Sequence, residues 1–205
     1  MTVRRFCCAI ALAFASCSAA VADDDPLSRH WTARIGVHPV NPQSNSHTDF
    51  TIENASGLSL GATYLFSRHW GAEFFSAFPM AHELHEPDAA RVGSFKMIPS
   101  SATIQYYVSD AADVFRAYGA IGVAHTTFGS EKTSGALSDH AMKLADSTGM
   151  TMALGLDVNL DSNWYVNLDA RWMDIDSDLT LDGAASGQLQ IDPYLFGLSV
   201  GRRLR

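Results

Sequence analysis

The feature that most constrains this chain is a period of two running through residues 150–173. Met150, Met152, Leu154, Leu156, Val158 and Leu160 alternate with Thr151, Ala153, Gly155, Asp157 and Asn159. After Asp161-Ser162-Asn163 the pattern resumes, with Trp164, Val166, Leu168, Ala170 and Trp172 set against Tyr165, Asn167, Asp169 and Arg171. Successive side chains of a strand point to opposite faces, so the pattern predicts two strands, each apolar on one face and polar on the other. The three-residue connection predicts a hairpin. A soluble sandwich would bury the apolar face against a second sheet. An outer-membrane barrel would turn it to lipid and enclose the charges.

The rest of the chain decides between the two. Alternation recurs over His30–Val40, Gly57–Phe66, Trp70–Phe78 and Ser100–Val108, more weakly over Phe115–Phe128, and again near Ile191–Leu204. With the hairpin the count is eight. Long connections are expected at about 41–56, 79–92, 129–146 and 177–187, and short ones at 67–69, 109–113 and 161–163. Both termini then lie at the short-turn end. An even strand number with short turns at one end and long loops at the other is the outer-membrane pattern. Trp31, Phe66, Trp70, Phe115 and Trp164 collect at the short-turn end, where an interfacial girdle would sit. The expected fold is therefore all-β: an eight-stranded antiparallel transmembrane β-barrel with short periplasmic turns and long extracellular loops.

Residues 1–22 read as a secretory signal peptide and 23–205 as the barrel. Arg4-Arg5 is a basic start, Phe6 to Ala15 a short apolar run, and Ala20-Val21-Ala22 a small-residue cleavage site. Phe14-Ala15-Ser16-Cys17 is a weaker lipidation motif, without the usual Leu. Cys7, Cys8 and Cys17 all leave with the signal, so the remaining barrel cannot rest on disulfides. Losing Arg4 and Arg5 leaves 12 basic against 22 acidic side chains, a formal charge of −10. That balance argues against nucleic acid as a partner. No later stretch has the roughly 18 apolar residues of a helical span.

Inward parity predicts two zones in the lumen. Toward the short turns it selects Arg34, Glu73, Gln105, Asp157, Asn167, Asp169, Arg171 and Arg203. An eight-stranded barrel has room only for side chains or one small ligand, and buried charges must pair. Arg34, Glu73, Asp157, Asp169 and Arg171 are expected to form an interior charge network. Toward the long loops the same parity selects Phe75, Ala77, Met173, Ile175, Leu189 and Ile191. These either lie under folded loops or line an apolar pocket. Pro79 and Pro99 cannot donate ladder hydrogen bonds, and interrupted pairing near them would open the wall sideways.

Other clusters read more simply. His82-Glu83-Leu84-His85-Glu86 lacks the spacing that places two histidines on one helical face, and Asp174, Asp176 and Asp178 lack the glycine of a calcium loop. No metal and no cofactor are expected. Ala136 to Leu144 reads as a short helix. No inward or rim serine has an evident histidine partner, so catalysis is not expected.

An ordered set of segments resembles the OmpW family of outer-membrane proteins, including its AlkL-type members. It begins at Trp31-Thr32-Ala33-Arg34-Ile35-Gly36 and passes through Tyr64, Glu73, Pro79, His82 and Gly93-Ser94-Phe95-Lys96-Met97-Ile98-Pro99. It continues with Gln105-Tyr106-Tyr107, Tyr118, Gly122, Thr126, Ser147-Thr148-Gly149 and Gly155-Leu156-Asp157. Asn167-Leu168-Asp169-Ala170-Arg171, Asp174-Ile175 and Asp192-Pro193 close it. The resemblance implies passive uptake of small hydrophobic molecules through a lumen that opens sideways into the membrane. Phe75, Met173, Ile175, Leu189 and Ile191 would then be the apolar ligand-binding residues. It also implies lipid of the outer membrane, hydrophobic solutes and the barrel-assembly machinery as partners, and periplasmic termini. An adhesive or structural barrel is the alternative, and a lipid-modifying enzyme a more distant one. The tail departs from the family: Leu204 stands where a terminal aromatic is expected, Arg202 replaces a girdle Tyr, and Arg205 is extra.

Overall fold

The computed structural model describes residues 30–42, 51–85, 91–110, 113–135 and 138–204. The signal peptide reading, Cys17 and most of the first long connection lie outside the described residues. Eight long strands build the wall: β1 His30–Asn41, β3 Ala55–Leu65, β4 Trp70–Ala77, β6 Arg91–Tyr107, β7 Phe115–Thr133, β9 Ser147–Asn159, β10 Trp164–Met173 and β13 Tyr194–Leu204. Each pairs antiparallel with its neighbours in that order, and β13 returns to β1 through Trp31↔Leu204 to Asn41↔Tyr194. The sheet is a closed eight-stranded antiparallel barrel, and closure leaves no open edge in hydrocarbon.

The period of two sorts side chains as an inside-out protein. Ile35, Leu60, Phe74, Ile104, Ile121, Met152, Leu168 and Leu198 face outward and are roughly half exposed. Arg34, Glu73, Gln105, Arg116, Asp157 and Arg171 face inward and are buried. Small residues clear the interior for large ones. A Cβ at Gly155 would lie 2.2 Å from Tyr118 Cζ, and one at Gly201 2.1 Å from Tyr165 Cζ.

The expected long connections are largely strand. Five short strands make an upper tier: β2 Thr51–Ile52, β5 Met80–His85, β8 Met142–Leu144, β11 Asp176–Leu181 and β12 Ala184–Gln190. β5 pairs β2 and β6, so the wall continues where a 79–92 loop was expected. β11 and β12 form a hairpin that turns at Asp182-Gly183, with φ of 52° and 80°. The helix expected over Ala136–Leu144 is corrected: β8 occupies its end and pairs β11, because Met142 and Leu144 point inward about Lys143 at strand spacing. The last strand starts at Tyr194, after Asp192 with φ 33° and Pro193, not at Ile191.

The ladder is interrupted near prolines at two places: β1 and β13 lack pairs between Val37↔Leu198 and Val40↔Leu195, around Pro39, and a longer break lies near Pro79 and Pro99. β4 pairs β6 up to Ser76↔Ser100, and β5 resumes one residue out of step at Met80↔Met97. Between them the Phe78 amide turns to Leu58 O on β3, at 2.8 Å, and Pro79 and Pro99 have no amide hydrogen to donate. Ala77-Phe78-Pro79 thus faces Ile98-Pro99 without ladder pairs.

Candidate functional site

The lower lumen is a network centred on Glu73. Arg34 Nη2 bonds one carboxylate oxygen and Arg171 Nη2 the other, the latter at 2.7 Å. Arg34 Nη1 donates to Tyr118 Oη at 3.1 Å, and Arg171 Nη1 donates to Ser101 Oγ at 2.7 Å. Asp157 meets the network through Asn167: its carboxylate accepts from Asn167 Nδ2 at 2.7 Å, and the same nitrogen lies 3.2 Å from Tyr118 Oη. Arg116, which sequence reasoning passed over, is 1% exposed, lies 4.0 Å over the Tyr107 ring and donates to Arg68 O. The buried ions balance, with Arg34, Arg116 and Arg171 against Glu73, Asp157 and Asp169. Arg203 lies lower and partly exposed, donating to Asp161 O and Ser162 O of a short turn.

Above Glu73 stands a trio that the sequence hid. His38 Nε2 lies 3.1 Å from Asp169 Oδ1, and His38 Nδ1 lies 2.7 Å from Ser59 Oγ. A carboxylate only accepts, so Nε2 carries the hydrogen toward Asp169 and Nδ1 meets the Ser59 hydroxyl. The expectation that no inward serine has a histidine partner is therefore overturned. His38 reaches Asp169 across Gly197, where a Cβ would lie 2.2 Å from Nε2. The ring nitrogens are used in the reverse order from a Ser-His-Asp hydrolase. Backbone amides beside Ser59 belong to the β1 and β4 ladders, so they aim at no oxyanion. The trio is a hydrogen-bonded strut that ties β1, β3 and β10 together.

Phe75 divides the lumen. The Arg171 guanidinium lies 4.4 Å from its ring centre on one side, and the His38 ring meets it edge-on at 5.0 Å. Above it the buried residues are mainly apolar, with His82, Thr126, Ser147 and Ser177 among them. Phe75, Met173, Ile175, Leu189 and Ile191 are brought together in one buried cluster, each no more than 1% exposed. The upper strands complete it with Met80 and Leu84 of β5, Met142 and Leu144 of β8, and Leu179 of β11. Four of the chain's seven methionines belong to it: Met80, Met97, Met142 and Met173. Methionine is unbranched and repacks readily.

The two acidic and histidine clusters of the sequence lie at the long-loop end, with His82 buried. His82 and His85 sit three apart on a strand, so they face opposite ways and cannot share an ion. His85 instead meets Glu53 at 3.2 Å and Glu83 at 3.7 Å, and Arg91 lies 3.0 Å from Glu83. Asp192, not Asp178, joins Asp174 and Asp176, and its Oδ1 already accepts the Ile175 amide at 3.0 Å. His140 and Asp182 pair at 2.6 Å between the β7–β8 and β11–β12 connections. That bond raises the His140 pKa and lowers that of Asp182.

The OmpW family model matches residues 33–204. Outer membrane protein W of Escherichia coli (strain K12) is 30% identical over 162 residues, covering 75% of this chain and 76% of that protein. Outer membrane protein AlkL of Ectopseudomonas oleovorans is 25% identical over 159 residues, covering 74% and 67%. The crystal structure of the outer membrane protein OprG from Pseudomonas aeruginosa superimposes with a TM-score of 0.77 at 25% identity, covering 87% of this chain and 97% of that one.

Proposed function

Because this chain belongs to the OmpW family of outer-membrane barrels, we propose that it admits small hydrophobic molecules from outside and releases them sideways into the membrane. The observation that carries this reading is the divided lumen: an apolar tier held above a paired, charge-balanced floor. An oily solute among Phe75, Met173, Ile175, Leu189 and Ile191 meets no aqueous path below. Each CH₂ it moves from water into hydrocarbon is favourable by about 0.8 kcal/mol. The unpaired stretch between Ala77-Phe78-Pro79 and Ile98-Pro99 lies beside that tier and is the exit this reading assigns. In this reading the short turns and both termini are periplasmic. The Glu73 network serves as a structural plug.

The test is hydrocarbon uptake in cells carrying Ile175→Asp with Leu189→Lys. Charges placed on the apolar lining should stop uptake of a medium-chain alkane while the barrel still assembles, since lumen substitutions are tolerated far better than lipid-face ones. Unchanged uptake by the folded double variant sinks the pocket and makes loop-mediated adhesion the leading function.

A further inference from the structure

Among the described residues of the upper lumen, Nε2 of His82 and Oγ1 of Thr126 are buried without a hydrogen-bond partner, and His82 is the one set on the same face as Met80 and Leu84. His82 points inward from β5 between Met80 and Leu84, is 1% exposed, and stacks on Phe95 with ring centres 5.6 Å apart. Its Nδ1 lies 2.9 Å from the Glu53 carbonyl oxygen. A carbonyl only accepts, so the hydrogen sits on Nδ1 and Nε2 presents a bare lone pair. Nε2 is buried and has no hydrogen-bond partner in the protein. β5 stands above the lipid-facing band, since its outward residues are Ala81, Glu83 and His85. Burial lowers the pKa of the ring below the usual histidine value, which favours the uncharged form.

A buried acceptor left unmade is costly, so something of matching chemistry is expected there. Water suits the place poorly. An enclosed water makes two to four hydrogen bonds, and the inward residues on either side of His82 in β5 are Met80 and Leu84, with Phe95 stacked on the ring. A fatty acid suits it poorly too, because its carboxylate would be buried as an unpaired charge that only accepts. A neutral molecule with one hydroxyl and a hydrocarbon body supplies one donor and otherwise needs only apolar contact.

We propose that Nε2 of His82 is the polar anchor of the apolar tier, accepting the hydroxyl of an aliphatic or aromatic alcohol whose body lies against Met80, Leu84 and Phe95. The inference rests on the reading of that tier as a binding site for hydrophobic solutes and narrows it to a ligand class. It makes the site selective between isomers. 1-Octanol can donate to Nε2, whereas heptyl methyl ether, of the same composition, cannot.

The experiment uses the purified barrel in detergent micelles, with competition by 1-octanol, heptyl methyl ether and n-octane against a fluorescent apolar probe, each corrected for partition into empty micelles. The wild type should prefer the alcohol to the ether by about tenfold, the worth of one net hydrogen bond. In His82→Phe, which keeps a stacking ring without the acceptor, the alcohol should fall to the level of the ether. In the unmutated protein, octanol should also shift the ¹⁵N resonance of His82 Nε2 while the ether leaves it in place. That second readout holds even where His82→Phe fails to fold. Equal binding of alcohol and ether by the wild type overturns the anchor but leaves the apolar site standing. So does a preference that survives in His82→Phe. Failure of all three compounds to compete overturns the apolar site itself, and the anchor with it.

Discussion

The two tiers of the lumen are built on the same strands, with the same inward parity, and have opposite chemistry. On β10, Asn167, Asp169 and Arg171 face the lower interior and Met173 the upper. On β4, Glu73 lies in the lower tier and Phe75 at the boundary. Parity fixes only which way a side chain points, not what it meets. Below Phe75, inward groups meet one another across a narrow barrel, and cations and anions complete each other's hydrogen bonds. Above it they meet β8, β11 and β5, whose inward residues are mainly apolar, with His82 and Ser177 the polar exceptions. The lower tier is held by directional pairs, and the upper by contacts that many arrangements satisfy.

Breaking the lower tier should cost most. Glu73→Ala leaves the guanidinium groups of Arg34 and Arg171 buried without their shared carboxylate, and should destabilise the barrel by about 3–5 kcal/mol. Heat-modifiability on gels reads this as a lower temperature of unfolding. A wild-type profile would mean that water already screens the network. Truncating the upper tier should cost less. Met173→Ala removes a fully buried side chain, yet three other methionines can move toward the space, so a loss near about 2 kcal/mol is expected, at the low end for such a change. A loss as large as that of Glu73→Ala would show the upper tier to be as rigid as the lower.

The smallest effect belongs to the rim. His140 has its pKa raised, so its share of the His140–Asp182 clamp is complete below the ordinary histidine value of 6.5 and fades as pH climbs through the raised one. Asp182 has its pKa lowered, so its share is complete above the ordinary 3.8 and fades as pH falls through the lowered one. The two loops should be most resistant to protease between those ordinary values and looser at neutral pH and above. Both groups are exposed, so the barrel itself should not respond. Loop proteolysis that stays flat from that window up through alkaline pH would remove the clamp.

Most of the wall was legible because lipid on one side and a narrow interior on the other leave a clean alternation in every long strand. Phe75, Met173, Ile175, Leu189 and Ile191 could be grouped for the same reason. What lies across the lumen was not legible. His38 meets Asp169 over Gly197, and nothing along the chain marks which inward residues face each other through a glycine. Nor does the sequence show that Asp157 meets the charge network through the amide of Asn167. The upper strands were missed for a different reason, since two to seven residues hold too few alternations to rise above a loop. Yet Asp182-Gly183 is a hairpin signal by itself, and its φ values of 52° and 80° show why those residues stand there.

The pairing of Trp31 with Leu204 joins the two ends of the described chain and sets the order in which the molecule can be made. Every other wall pairing links strands that follow one another along the wall, and many of these form between nearby stretches of chain. The closing seam must wait for the last strand to arrive. Until then β1 and β13 are two open edges carrying unmatched amides and carbonyls, and the charged interior is not enclosed. A contact spanning nearly the whole sequence is slow to form, and exposed edges in the interval invite pairing with other chains. The journey before closure, not the finished barrel, is where this protein is most exposed to aggregation.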